Sequence, residues 1–333
     1  MILPKRLQRG DTIGYFSPSS PATHFAPNRY QRARSYLLSK GFNLKTGQLS
    51  GHSDSYRSGS ILERAQELNA LIRDPEVRCI MSTIGGSNSN SILPYIDYDG
   101  LRTDPKIIIG YSDVTAILLA IHRKTGLIPF YGPALVASFG ELPPLVDDTY
   151  SHFASLLMDA NPPPHTFPTP EAWTDEFIDW ETQSRPKTLM NNEVEWHGSG
   201  VVSGRLMGGN LNTLWGIWGS PYAPEIKCGD ILFIEDSLKS IATVERLFAF
   251  LHLNGVFERV SAVLLGKHEL FKDSGTGRTP FDVLTEVLNG RDLPVVNGFD
   301  CSHTHPMLTV PIGLEVAVDF DNEAVRLVEP WVC

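Results

Sequence analysis

Residues 106–126 read KIIIGYSDVTAILLAIHRKTG. Three isoleucines and a glycine make a short apolar run of the kind buried in a parallel sheet. Ser112 follows Gly110 by two positions, and a helical pattern begins at once and is stopped by Gly126. A buried strand, a tight turn and a helix are the repeating unit of an α/β fold.

The same alternation extends upstream. TIGYFSPSS (12–20) reads as a strand entering a Ser/Pro loop. Pro27 to Lys40 carries Tyr30, Ala33, Leu37 and Leu38 at helical spacing. FNLKTG (42–47) is a second strand, and Ser60-Ile-Leu-Glu63 has the form of a capping box. The helix it opens places Leu62, Ala65, Leu68 and Leu71 on one face. CIMSTIGG (79–86) is a buried strand ending in a glycine pair. Residues 1–165 therefore predict a parallel sheet with helices on its faces.

Downstream, the character changes between about Asn161 and Gly198, and residues 166–198 are read as the connection between the domains. The proline-rich NPPPHTFPTPEAW is followed by Trp173, Phe177, Trp180 and Trp196, which predicts an ordered aromatic connection in place of a flexible linker. Residues 199–333 begin with GVVSGRLMGGN and the helix LNTLWGIWGS. The strand DILFIEDS, the helix ATVERLFAFLHLNGVF, the strand SAVLLGKH and the helix PFDVLTEVL follow. The tail, LTVPIGLEVAVDF and AVRLVEPW, is strand-rich. This half reads as a mixed α+β domain.

Composition narrows the function. The chain has 333 residues, 42% hydrophobic and 20% charged, which suits two packed domains and excludes disorder. A net charge of -10 argues against a nucleic-acid polymer as partner, since phosphates demand a basic face. Lys5, Arg6 and Arg9 precede an apolar stretch too short for a signal peptide, and no run approaches a membrane span. The scattered Cys79, Cys228, Cys301 and Cys333 suit a reducing compartment, so a cytoplasmic location is expected.

Four clusters carry candidate chemistry. Ile109 to Val114 has the order of a nucleophile elbow, although Val114 stands where the second glycine of G-x-S-x-G belongs. Ser112 or Asp113 as a plain helix N-cap is the commoner reading of that spacing. Gly85-Gly86-Ser87 lets backbone approach a ligand, and its amides can serve an oxyanion, but a glycine turn explains it equally. Glu235 and Asp236 end a buried strand, where ligands of α/β sheets bind; capping of the helix at Ala242 is the alternative, better suited to Asp236. His303 and His305 at i, i+2 raise a metal site, yet no HExxH, CxxC or carboxylate cluster accompanies them. No metal and no cofactor is expected. Ser, acid and His in that order make a candidate triad, though spacing alone does not bring the three together.

The segments IGGSNSNSILPYIDYD, IIIGYSDVTA, FYGPALVASFGE, GRLMGGNLNTL, ILFIEDS, LLGKHE and FDCSHTHPM are long, ordered and specific. Through them the chain resembles the LD-carboxypeptidase family of serine peptidases over essentially its full length, and within it the branch that confers microcin immunity. The resemblance implies a Rossmann-like N-terminal domain, a mixed C-terminal domain and an active site between them. It implies Ser112 as nucleophile, His303 as general base and Glu235 as its orienting acid, with the amides of Gly86 and Asp113 as oxyanion donors. It also implies a homodimer.

Two substrate classes follow from the resemblance. One is a murein tetrapeptide, losing its terminal D-alanine. The other is a peptidyl- or aminoacyl-nucleotide, cut at the amide that joins the carboxylate to the modified nucleotide. The segment WTDEFIDW favours the second, because Trp180, with Phe177 and Trp173, offers ring faces to a base at about 1–3 kcal/mol per stack. Gly85 and Ser87 complete the expected substrate contacts. Packing of those rings in the interior is the alternative, and a binding protein that has kept the fold without catalysis is the alternative from another class.

Overall fold

The computed structural model describes residues 1–159 and 161–333. Its first sheet runs, in spatial order, Asn43–Thr46, Thr12–Phe16, Val77–Ser82, Ile107–Gly110 and Phe130–Tyr131, all parallel. Ile107, Ile108 and Ile109 are fully buried, worth about 1.5–3 kcal/mol each. The helices Pro27–Ser39, Ile61–Arg73 and Thr115–Thr125 connect these strands. The expected capping box is present: Glu63 N donates to Ser60 Oγ, and Ser60 N donates to Glu63 Oε2 at 2.8 Å. Gly126 ends its helix at φ 76°, a conformation that favours glycine.

The first sheet is not purely parallel. Val310–Pro311, from the far end of the chain, pairs antiparallel with Phe130–Tyr131 at its edge. The strand-rich segment LTVPIGLEVAVDF thus holds two strands, and they serve different sheets. Its second part, Glu315–Asp319, lies antiparallel to the start of the ten-residue strand Val201–Asn210.

That long strand organises the second sheet. Its other half, Leu206–Asn210, pairs parallel with Ile231–Glu235, followed by Ala262–Gly266 and Val295–Phe299. Antiparallel strands close both edges, with Glu195–His197 on one side and Ala324–Leu327 and His165–Thr166 on the other. Leu211–Ile217, Ile241–Leu253 and Pro280–Leu288 are its main helices. The run to Phe257 is not one helix, because Gly255 breaks it at φ 65° and a separate turn covers Val256–Arg259. Apolar side chains of both sheets share one core. Tyr131 and Phe233, one from each sheet, meet edge to face with centroids 5.1 Å apart. No helix among the described residues is long and apolar enough to cross a membrane.

Candidate active site

The first sheet brings Ser112 to its carboxyl edge. Its φ of 62° is one that a side chain rarely adopts, as the sharp turn of an elbow requires. Ser112 N donates to Tyr131 Oη at 3.0 Å, which ties the turn to the neighbouring strand. The capping reading fails here: neither Ser112 nor Asp113 makes a side-chain cap on the turn 112–114 or the helix after it. Asp113 Oδ2 instead accepts from Asn88 N at 2.9 Å and Ser89 N at 2.8 Å, so it clamps the glycine loop to the elbow. Burial raises its pKa, only partly opposed by those bonds.

Gly85 and Gly86 are demanded by that contact. A Cβ on Gly85 would stand 2.8 Å from Ser112 Cβ and 2.9 Å from its Oγ. Gly86 has φ 145° and packs against Ser19 and Ser20. Among the described residues, no group of the protein accepts from the backbone amides of Gly86 or Asp113.

The second sheet supplies the acid and the base. Glu235, the last residue of its strand, is fully buried, and four donors hold it. His303 Nδ1 donates to Oε2 at 2.6 Å, as does His303 N at 3.2 Å. Tyr131 Oη and Asn210 Nδ2 donate to Oε1 at 2.6 and 3.1 Å. Burial pushes the Glu235 pKa up, but the His303 charge and the bonds from His303, Tyr131 and Asn210 outweigh it, leaving the pKa below its ordinary value. For His303 burial acts downward, and the charge and hydrogen bond of Glu235 outweigh it, so its pKa is raised. Asp236 does not cap the helix at Ala242. It accepts from Asn212 N at 3.0 Å at the start of the helix Leu211–Ile217, and from Asn210 Nδ2 at 3.2 Å.

The two carboxyl edges face one another across a cavity of about 310 Å³. Ser112 and His303 share its wall with Gly85, Gly86, Ser87, Phe177 and Trp180. A hydrogen bond between Ser112 Oγ and His303 Nε2 is not formed in this conformation. Trp173 is not on the wall: its Nε1 donates to Asn191 O at 3.1 Å, and the Lys267 ammonium lies 5.4 Å from its ring centre. An aromatic residue can turn to either side of a short strand, and Trp173 turns to this neighbour. His305 reaches the cavity beside His303, but Nδ1 of His303 is committed to Glu235.

The aromatic connection is fastened to both halves. Thr174 and His305 exchange two backbone hydrogen bonds, at 2.9 and 3.0 Å. Leu270 N donates to Asp175 Oδ2 at 3.1 Å. On the other side, Arg29 Nη1 donates to Gln183 Oε1 at 2.8 Å, and its guanidinium lies 4.7 Å from the Trp180 ring centre. The indole is therefore held at the cavity by a cation on one side of the molecule and by the histidine loop on the other.

Comparison with known proteins decides the family. Residues 13–132 match the LD-carboxypeptidase N-terminal domain, and residues 203–318 match the LD-carboxypeptidase C-terminal domain. The chain belongs to the LD-carboxypeptidase family. It is a serine peptidase of mixed α/β fold. Over 333 residues it is 63% identical to a Vibrio cholerae protein named only as a carboxypeptidase, with 100% of this chain and 99% of that one covered. It is 58% identical to the Microcin C7 self-immunity protein MccF of Escherichia coli, over 99% of this chain and 97% of MccF. The structure of MccF in complex with aspartyl sulfamoyl adenosine superposes with a TM-score of 0.99 at 58% identity, and the complex with glutamyl sulfamoyl guanosine with 0.98 at 57%. Both cover 100% of each chain.

Several members of this LD-carboxypeptidase site escaped the reading of the sequence. Tyr131 and Asn210 hold Glu235, and Tyr111 packs edge to face on His303 with centroids 4.9 Å apart. Each stands at or just beyond the end of a buried strand, in FYGP, GGN and IGYS, and that position was the available signal. Lys187, also on the wall, carries no such mark, and Glu269 ends the segment LLGKHE, which carries the resemblance without giving that residue a role.

Proposed function

We propose that this peptidase hydrolyses the amide bond between an amino acid or peptide carboxylate and a modified nucleotide, and so inactivates a microcin C-type toxin. The observation that carries the reading is the joint wall of the cavity: an elbow serine and a carboxylate-bound histidine stand in the same pocket as Trp180 and Phe177. A purine has a face to stack, and a murein peptide does not. MccF, which shares 58% of its residues with this chain, has been solved with two aminoacyl sulfamoyl nucleosides.

In this mechanism Ser112 Oγ attacks the amide carbon while His303 Nε2 takes its proton. Glu235 accepts from His303 Nδ1 and stabilises the imidazolium that forms. The oxyanion is received by the amides of Gly86 and Asp113, whose N–H groups have no acceptor among the described residues. His303 then protonates the departing nitrogen. The acyl ester on Ser112 is hydrolysed by water, again with His303 as base. Gly85 and Ser87 line the approach to the nucleophile.

The reading includes a division into 1–165, 166–198 and 199–333, the connection carrying the base-stacking rings. It also includes a homodimer, carried by the family resemblance and checked by light scattering. A cytoplasmic location is supported by four free thiols, two of them exposed.

The test is incubation with aspartyl sulfamoyl adenosine and, in parallel, a murein tetrapeptide, followed by mass spectrometry. Release of aspartate and the nucleoside sulfamate is expected. D-alanine release from the tetrapeptide with the nucleoside untouched would replace this reading by murein recycling.

A further inference from the structure

The Gly86 amide is aimed from behind, by a buried network that the triad does not use. Gly85 O and Gly86 N belong to one planar peptide group, so the carbonyl and the N–H point in opposite directions. Ser20 N donates to Gly85 O at 3.0 Å, which turns the Gly86 N–H away from residues 17–20. On the other side of Gly86, Ser19 Oγ accepts from Ser87 N at 3.0 Å and from Asn88 N at 3.1 Å. The direction of the amide therefore depends on where residues 17–20 sit.

The helix Ile61–Arg73 sets that place. Glu67 Oε2 accepts from Ser17 N at 2.7 Å, and Glu67 Oε1 accepts from Leu49 N at 2.7 Å. One turn earlier, Arg64 Nη1 donates to Pro18 O at 2.6 Å, to Asn88 Oδ1 at 2.7 Å and to Asn88 O at 3.2 Å. Its Nη2 donates to Ser91 Oγ at 3.1 Å and its Nε to Gly59 O at 3.1 Å. One guanidinium thus spans residues 17–20 and the glycine loop. Arg64 is buried, yet the oxygens it meets are all uncharged, and a buried cation without a paired anion is costly. Burial lowers its pKa, and the charge of Asp113 opposes. Asn88 is gripped between the two, by Asp113 at its N–H and by Arg64 at both of its oxygens.

We propose that Arg64 is a positioning residue for the hydrolysis: through Pro18 and Asn88 it fixes the Gly85–Gly86 peptide plane, so that the Gly86 N–H is already directed at the oxyanion when the carbonyl is attacked. The inference rests on the reading of Ser112 as nucleophile and Gly86 as oxyanion donor, and it is independent of which acyl compound is cut. Arg64 is not on the cavity wall, so it acts only through the loop.

The test is the rate at which an alkyl fluorophosphonate labels Ser112, followed by mass spectrometry. Ser112 Oγ forms the bond to phosphorus, fluoride leaves and His303 takes the proton, while the phosphoryl oxygen occupies the place of the oxyanion. R64Q should slow labelling by about 10- to 100-fold, less than the roughly 100- to 1,000-fold of losing an oxyanion donor outright. On whichever of aspartyl sulfamoyl adenosine and murein tetrapeptide wild type cleaves, R64Q should lower kcat by a similar factor and leave KM within about twofold. R64K keeps the charge without the fork and should fall between R64Q and wild type. S19A leaves Arg64 in place, removes the acceptor of Ser87 N and Asn88 N, and keeps the test open if R64Q fails to fold. It should slow labelling by about tenfold, and S19A with R64K should cost less than the product of the two, because both act through Asn88. Wild-type labelling in R64Q, a rise in KM that accounts for the lost activity, or losses that multiply in the double variant would each overturn the positioning role. Wild type that takes no label would instead sink the nucleophile and oxyanion reading, and this inference with it.

Discussion

The elbow and the aromatic connection meet at one cavity but are built in opposite ways. Around Ser112 the placement is done by backbone: a left-handed serine, a glycine whose Cβ would collide with that serine, and amides free to donate. Around Trp180 it is done by side chains, through Arg29, Gln183, Asp175 and the pairing of Thr174 with His305. Backbone on buried strands cannot shift without breaking a sheet, which suits reacting atoms that must be held to a fraction of an ångström. A segment pinned by side chains can be changed residue by residue while the sheets stand. The chemistry of the family and the choice of substrate are thus carried by parts of different rigidity.

The strongest way to break this division is Ser112→Ala. It should lower kcat/KM on aspartyl sulfamoyl adenosine by about 10⁶-fold, while the uncleaved compound still binds and Trp180 fluorescence still responds to it. Turnover near the wild-type rate would remove Ser112 from the mechanism. Loss of binding together with turnover would show that the two regions are not separable.

Much of the division can be read in the chain itself. Buried parallel strands leave uniform apolar runs, so IIIG, CIMS and ILFIE are legible, and so are the residues that end them. Ser112 and Glu235 stand out as candidates because strand ends are where α/β sheets hold their chemistry; His303 stands out only for its spacing from His305, and the triad roles of all three rest on the family resemblance. The structure shows Glu235 and His303 bonded and Ser112 in the same pocket. Contacts between distant segments were not legible. Nothing local in LTVPIGLEVAVDF says that Val310–Pro311 leaves for the other sheet. Trp173 and Trp180 look alike in sequence, and only the pairing of their neighbours decides which one faces the cavity. Lys187 and Glu269 resemble ordinary surface charges until the fold buries them.

Glu235→Gln tests the second sheet and should cost about 10⁴-fold. It also carries a pH signature. Catalysis needs neutral His303, so kcat/KM rises with pH through the histidine's pKa. Because that pKa is raised in the protein, the rise should be centred above the ordinary value of about 6.5. Without the Glu235 charge the largest upward influence on the ring is gone, only Glu269 and Asp236 still oppose burial, and the midpoint should move down. A midpoint unmoved by the substitution would mean that another group titrates in the profile.

Trp180→Ala acts on the other region and should be smaller by orders of magnitude. Loss of one stacked base predicts an increase in KM of about 10- to 100-fold with kcat nearly unchanged. A fall in kcat at constant KM would mean that the indole positions the reacting atoms, and the boundary between the two regions would have to be redrawn.

The least effect is expected from Phe177→Ala. Phe177 lines the same cavity, but its side chain is 69% exposed. A ring that stays wet on one face gains less from a ligand than one packed on both sides, and an aromatic pair is worth about 0.5–1.5 kcal/mol beyond area burial. KM should rise by no more than about tenfold. The informative measurement is the double variant with Trp180→Ala. If both rings hold the same base, removing the second after the first should cost less than removing it alone, since residues sharing a partner are not additive. If the two losses multiply, Phe177 and Trp180 touch different parts of the ligand, and the side-chain-built region contains two separable subsites.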